Sequence, residues 1–311
     1  MGSLFFYIES IYNQQMIDTV KSCLLTGALG DAYGSRFEQS DLPAKEEHWN
    51  FTSDLNYMLA TCSSISREKT VDTEKIAAGM RSWYMNQQLS GLEGETQRAL
   101  TELLGAQHWN TVGKEGDSGG NSPALRIAPL AFALDPIQTR DQETIREICA
   151  ITHQGQEPYA GALAVVCSIR FIQNDRQNFL PRVIKVLPDS QVKDQLVLLS
   201  ETSGKRIRDV GRQFGCGNSV HESVAFAIYA AQQAPEVGLV TMMNEVVAAG
   251  GDTDANCSIA GYIAGAYLGS HAIPSEWMTK LKAIEEYEDH YQTMVEFAAF
   301  IQSQSGIQTL F

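Results

Sequence analysis

The sequence predicts an all-α fold. No stretch of useful length alternates apolar and polar residues with period two, and no Asn-Gly or Asp-Gly pair joins two apolar runs as a hairpin would. What recurs is a polar or glycine-rich loop feeding the start of an apolar helix, and several such loops on one face would build one cleft. The 311 residues are 44% hydrophobic with only nine prolines, ample for a sizeable core in one large domain or two.

Charge and cysteine usage narrow the classes. A net charge of −14 argues against a nucleic-acid or anionic-membrane partner, each of which selects a basic face, and suits a cation-binding cleft or a basic protein partner. Cys23, Cys62, Cys149, Cys167, Cys216 and Cys257 show no Cys-x-x-Cys spacing, which speaks against a thiolate zinc site. Several fall inside apolar helical patterns, where they act as small hydrophobes, as in a reduced cytoplasmic protein. Met1 to Ser10 carries neither a basic leader nor a long apolar core, so no signal peptide is expected. Residues 1–14 form a segment of their own, aromatic from Leu4 to Ile11, that either packs on the domain or presents a surface to a partner; residues 15–311 form the domain.

The first helix starts near Gln15 and runs into Gly27-Ala-Leu-Gly30-Asp31-Ala-Tyr-Gly34. Ile17, Val20, Leu24, Gly27 and Ala28 make its apolar stripe. Asp31 continues that stripe one turn later, placing a carboxylate where a core residue belongs; it either bonds a neighbouring backbone amide or faces a site. Gly30 and Gly34 allow a close backbone approach. Glu38 stands at the mouth of the polar loop Gln39 to His48, as a solvated charge or a lid carboxylate. Thr52, Ser53 and Asp54 then present two hydroxyls and a carboxylate ahead of the next helix, an oxygen set that hard cations accept and that helix capping also explains. The third helix begins at Asp72 with ordinary capping and continues through Ala77, Met80 and Trp83.

The loop Gly116-Asp117-Ser-Gly119-Gly120-Asn121-Ser122 precedes a helix, so its amides could receive a phosphate or a sugar hydroxyl. It lacks the lysine of a P-loop and the spacing of a dinucleotide fingerprint. Ile151-Thr152-His153 opens a helix through Tyr159, Ala162, Val166 and Ile169. The charged stretch 173–212 carries helical patterns at Leu180 to Leu187 and Gln195 to Leu199. Gly215-Cys-Gly217-Asn218-Ser219 enters a helix reaching Tyr229, with Asn218 and Ser219 suited to capping.

Gly250-Gly251-Asp252-Thr-Asp254-Ala255-Asn256 then brings two carboxylates, two residues apart, to the start of the apolar run Cys257 to Gly269. Ile259, Ala260, Ile263, Ala264, Tyr267 and Leu268 give that run a core stripe. Its 13 residues fall short of the roughly 20 that span a bilayer. Two desolvated like charges at short range must share a proton or a cation, and carboxylates favour magnesium, manganese or calcium; an N-cap with a turn is the competing account. Ile273 to Trp277 opens the closing helices.

Gly27-Ala-Leu-Gly-Asp31-x-x-Gly34-x-x-x-Glu38, Thr52-Ser-Asp54 with Leu59-Ala60, Gly119-Gly-Asn-Ser-Pro-Ala-Leu-Arg126 with Pro129, Thr152-His153, Glu222-Ser223 with Ala-x-Tyr229, Gly250-Gly-Asp-Thr-Asp254 with Ala260-Gly261, and Pro274-x-x-Trp277 occur in this order over roughly residues 20 to 280. Together they resemble the ADP-ribosylglycohydrolase family. The resemblance implies one compact, orthogonal multi-helix bundle with two magnesium or manganese ions. It implies removal of ADP-ribose from modified protein side chains, with arginine the expected acceptor. By position, Thr52, Ser53, Asp54, Asp252 and Asp254 are the implied metal ligands. Glu38, Asp54, Asp117 and Asp252 are the implied catalytic carboxyl groups, Asp54 or Asp252 taking a proton from water and Glu38 or Asp117 giving one to the ring oxygen or the leaving group. Asp31, Gly119, Gly120, Asn121, Ser122, His153, Gly217 and Asn218 are the implied substrate contacts.

The family pattern places an aspartate where this chain has Ser53 and a threonine or serine where it has Ala255, so one of the two ions is expected to bind more weakly. The implied partner is an ADP-ribosylated protein. Two other classes are compatible with the residues. One is an immunity protein that occludes an ADP-ribosyltransferase toxin, using residues 1–14 and the acidic surface; the other is a metal-poor pseudoenzyme that only recognises ADP-ribose.

Overall fold

Helices form wherever an apolar stripe follows a capping or glycine-rich loop. The computed structural model of the chain describes residues 2–38, 49–89, 94–105, 107–113, 119–175, 178–202 and 204–308. In it α1 spans Gly2–Gly34, α2 Ser53–Glu68, α3 Thr73–Met85 and α4 Gly94–Leu104. The short α5 (Ser122–Arg126) and α6 (Leu130–Ala133) follow the second glycine loop and lead to α7 (Thr139–Ala150), α8 (Gln156–Ile172), α9 (Phe179–Val186), α10 (Gln191–Ser200) and α11 (Ile207–Phe214). Then come α12 (Val220–Val237), α13 (Leu239–Ala249), α14 (Thr253–Leu268), α15 (Ser275–Lys282) and α16 (Tyr287–Gln308). No strand occurs among the described residues, in line with the missing period-two pattern.

Local chemistry sets the helix starts. Thr52 caps α2 by accepting the Asp54 amide at 3.2 Å, and Asp72 caps α3 by accepting the Lys75 amide at 3.0 Å. The helices differ from the sequence reading in several places. α1 begins at Gly2, ahead of the stripe that starts near Gln15. α14 begins at Thr253, so Asp254 lies in its first turn. α4, α7, α11 and α13 have no counterpart in that reading; in α11 the apolar Ile207, Val210 and Phe214 are dispersed through a charged stretch. Tyr267, expected in the core, is 41% exposed because the end of α14 emerges beyond Ala266.

α14 is the central element. It is buried on every side from Thr253 to Ala266, with α1, α8, α12 and α13 packed around it. Its contact with α1 is made backbone to backbone. A Cβ added at Gly30 would lie 2.1 Å from the Cys257 carbonyl oxygen, and one at Gly34 2.3 Å from that of Thr253; from the other helix, one at Gly261 would lie 2.4 Å from the Thr26 oxygen. Only glycine fits such an approach. Thr253 Oγ1 also donates to the Gly34 carbonyl at 2.8 Å. The last turns of α1 and the first turn of α14 are thereby joined, and both bear carboxylates. The six cysteines are free and buried, packing as small hydrophobes. Among the described residues, no helix is long and apolar enough to cross a membrane.

The backbone contact is testable. Gly30→Ala is expected to lower stability by about 1–3 kcal/mol, the usual cost of overpacking, as a reduced midpoint in urea unfolding. An unchanged midpoint would contradict the contact.

Candidate active site

Segments distant in sequence converge where α1 meets α14. Glu38 follows the 3-10 turn Ser35–Phe37 at the end of α1. It, Asp252 and Asp254 each offer a carboxylate oxygen within 4.8 Å of the others. Glu38 is exposed and Asp254 buried, with Asp252 between them in exposure. Capping does not account for the aspartate pair. Asp252 holds the N-cap position of α14 but its side chain makes no capping bond, and Oδ2 instead accepts from Asn121 Nδ2 at 2.8 Å. Asp254 Oδ1 accepts the neighbouring Ala255 amide at 2.7 Å.

Asp31, fully buried, faces the same region. Its two oxygens accept the Thr52 amide at 2.8 Å and the Thr52 hydroxyl at 2.5 Å. The backbone-amide account of Asp31 is therefore realised, and it ties the start of α2, with Asp54 in its first turn, to α1.

A third loop fixes the start of α14. Gly251, at φ +74°, passes so close to Cys216 that a Cβ would meet its carbonyl oxygen at 2.2 Å. That oxygen accepts the Asp252 amide at 3.0 Å and Asn256 Nδ2 at 2.8 Å. The Cys216 loop is held from below by Glu222, which accepts the Gly217 amide at 3.0 Å. Asn121 donates to Ser223 Oγ at 3.0 Å as well as to Asp252. Gly119 accepts the Val220 amide at 2.6 Å. The second glycine loop, α12 and α14 thus meet at one carboxylate.

Crowding of negative charge dominates the electrostatics. Burial, reinforced by the charge of Asp254 and opposed by the two Thr52 bonds, raises the Asp31 carboxyl to about 8. Burial, then the charge of Asp254, raises Asp252 to about 7, with the Asn121 bond opposing. Burial raises Asp254 to about 6, its bond with Asp252 opposing and Glu38 adding. Asp54 is pushed well above the usual carboxylate range by burial and then by Asp254, Asp31, Asp252 and Glu38. Such a group of oxygens is neutralised by protons or by a hard cation, and its donor set fits magnesium, manganese or calcium.

His153 lies on the turn between α7 and α8 and is 4% exposed. Burial, then the charges of Arg126 and Arg98, hold its imidazole down to about 3. It is therefore neutral. Nε2 lies 3.3 Å from a Glu95 oxygen and Nδ1 2.9 Å from the Thr152 hydroxyl, and a neutral ring facing a carboxylate donates from Nε2 and accepts at Nδ1. Gly120 packs over the ring, where a Cβ would lie 3.1 Å from Nε2. Beside it opens a cavity of 340 Å³ lined by Asn110, Arg146, Ala150, His153, Gln154, Gly155 and Gln156. None of the clustered carboxylates lines that cavity.

The expected residues divide accordingly. Glu38, Asp54, Asp252, Asp254, Asp31 and Thr52 come together, with Asn121 bonded to the group. Ser53 opens α2, and Ser122 opens α5 with its hydroxyl bonded to Thr96 at 3.1 Å. Gly119, Gly120 and His153 form a second part beside the cavity. The Gly217 amide is taken by Glu222, Asn218 is exposed, and the Ser219 hydroxyl makes no capping bond to α12. Asp117 lies outside the described residues. Glu95 and the bonding of Ser223 escaped the sequence reading. Glu95 stands in the first turn of α4, and only the fold places it against His153.

Fold and site define an all-helical protein with a carboxylate centre that could hold a divalent cation. A family model described as ADP-ribosylglycohydrolase matches residues 13–305, and the chain belongs to that family of hydrolases. It is 25% identical over 301 residues to an uncharacterised protein of Archaeoglobus fulgidus, covering 88% of this chain and 95% of the other. Human ADP-ribosylhydrolase ARH3 is 22% identical over 330 residues, covering 86% and 90%. The ADP-ribosylarginine hydrolase Tri1 of Pseudomonas putida is 22% identical over 310 residues, covering 91% and 78%. A solved structure described as an ADP-ribosylglycohydrolase-related protein complex shares the fold, with a TM-score of 0.73 at 20% identity, covering 93% and 99%.

The raised carboxyls fix the sign of a pH effect. Asp31, Asp252 and Asp254 hold protons in the folded state up to about 8, 7 and 6, and give them up near 3.9 when unfolded. Their contribution to stability is full below that value and is lost as pH rises through the folded values. In chelator the melting temperature should fall between pH 5 and pH 8, and magnesium or manganese should restore it more at pH 8 than at pH 5. A melting temperature that rises with pH in chelator would contradict the crowding.

Proposed function

We propose that the chain hydrolyses the N-glycosidic bond between ADP-ribose and a protein arginine side chain, assisted by divalent cations. The observation that carries this reading is the convergence of Glu38, Asp54, Asp252 and Asp254, with Asp252 left unused as a helix cap. Asp54, Asp252 and Asp254 would hold the cation, with Thr52 and Ser53 beside them and Glu38 at the mouth. Ser53 and Ala255 each offer one ligand fewer than the family pattern, which supports one firmly held ion and a weaker second. When bound, the ion supplies an electrophilic charge that orients the ribose hydroxyls.

The chain's own groups then divide the work. Asp252 accepts the proton of the attacking water. As the water oxygen bonds to the anomeric carbon, the C–N bond breaks and its electron pair stays on the guanidine nitrogen. Glu38, or Asp117 from the second glycine loop, protonates that nitrogen. The loop Gly119 to Ser122, seated on the neutral His153 ring, receives the diphosphate through its backbone amides, and the adjoining cavity receives the adenosine end. Arginine as acceptor is supported by the likeness to the ADP-ribosylarginine hydrolase of Pseudomonas putida. The convergence of carboxylates favours a working hydrolase over a protein that only recognises ADP-ribose.

The test follows free ADP-ribose released from arginine-modified and from serine-modified protein, with magnesium and with excess chelator. Release from the arginine substrate should require the metal, and Asp252→Asn should lower kcat by about 10²–10⁴-fold, the usual loss of a positioned base. Equal release in chelator would overturn the metal-assisted reading, and release from serine alone would overturn the acceptor.

A further inference from the structure

Arg126 is the largest side chain that the fold buries completely. Among the described residues no carboxylate pairs with it and two of its nitrogens, Nε and Nη1, have no hydrogen-bond partner. Burying an unpaired cation is costly, so the contacts that hold it are informative. Nη2 donates to the carbonyls of Ile148 at 3.0 Å and Cys149 at 3.3 Å, at the C-terminal end of α7, where the helix dipole favours a cation. The guanidinium lies over the Tyr57 ring, 4.9 Å from its centroid.

These contacts connect the two halves of the site. The Cys149 carbonyl that Arg126 grips also accepts the Thr152 amide at 3.2 Å and the His153 amide at 3.0 Å, so it is the pivot of the turn that carries His153. Tyr57 stands three residues after Asp54, on the same face of α2. Arg126 is the last residue of α5, and at the other end of that helix Asn121 bonds Asp252. α5 therefore touches the carboxylate centre at its head and the His153 turn at its tail.

We propose that Arg126 is a positioning residue, which sets the separation between the carboxylate centre and His153 and so matches the site to a ligand that spans both. The proposal rests on the functional reading in which the ribose meets the carboxylates and the diphosphate meets the loop seated on His153. The planar fork of Arg126 serves two carbonyls and an aromatic face at once; lysine keeps the charge and loses that geometry.

Fragment binding separates positioning from general support. ADP reaches only the His153 end, whereas ADP-ribose spans both ends. In a calorimetric titration with magnesium present, Arg126→Lys should weaken ADP-ribose by about tenfold, the scale of loss when a supporting contact is removed, and weaken ADP by less than about twofold. Equal loss for both ligands, or no loss for either, in a folded variant would overturn the proposal alone. If wild type binds neither ligand, the functional reading fails and the proposal falls with it. Should Arg126→Lys not fold, Tyr57→Leu carries the same comparison, because it removes the seat of the guanidinium and leaves its hydrogen bonds.

Discussion

The backbone contact between α1 and α14 is the constraint on which the site depends. Gly30 and Gly34 on one helix and Gly261 on the other admit carbonyl groups at distances no side chain would tolerate. Two consequences follow from that geometry. The helices cannot slide past one another without a clash, which fixes their register. The end of α1, with Asp31 and Glu38, is delivered to the start of α14, with Asp252 and Asp254, at a range where carboxylates interact strongly. A looser pair of helices would leave the same residues as separate surface charges.

That arrangement works against stability in the absence of a cation. Asp31, Asp54 and Asp252 are raised by burial and by the charge of Asp254, and Asp254 by burial and by Glu38, so the cluster holds protons that ordinary aspartates would have released. The surrounding bonds oppose this only in part: Thr52 donates twice to Asp31 and Asn121 once to Asp252. What the chain supplies is a preorganised set of oxygens, anchored through Cys216, Asn256 and Glu222, whose repulsion a divalent charge would relieve. His153 is held apart from this negative group by α5, and its neutral imidazole adds no charge of its own.

Much of this was legible from residue order. Asp31 stands out because it continues an apolar stripe, and Asp252 and Asp254 stand out because two glycines and an apolar run enclose them. The choice between capping and site chemistry was not legible at either place. It turns on where a carboxylate points, and the structure gives different answers: Thr52 caps its helix, Asp252 does not. Asp31 does both jobs the sequence offered it, bonding an amide and facing the cluster. Glu95 against His153 and Arg126 under the His153 turn depend on long-range packing, so no local pattern announces them. Arg126 was visible within a motif, but its burial without a carboxylate partner was not. α11 was hidden because three apolar residues among arginines, an aspartate and a glutamine look like a solvated loop.

The α1–α14 junction is the proposed cation site. Anomalous diffraction from crystals grown with manganese tests it without reference to any substrate. A peak is expected within coordinating distance of the Asp54, Asp252 and Asp254 carboxylates. A well-ordered cluster with no peak there, or manganese held only elsewhere on the acidic surface, would contradict it.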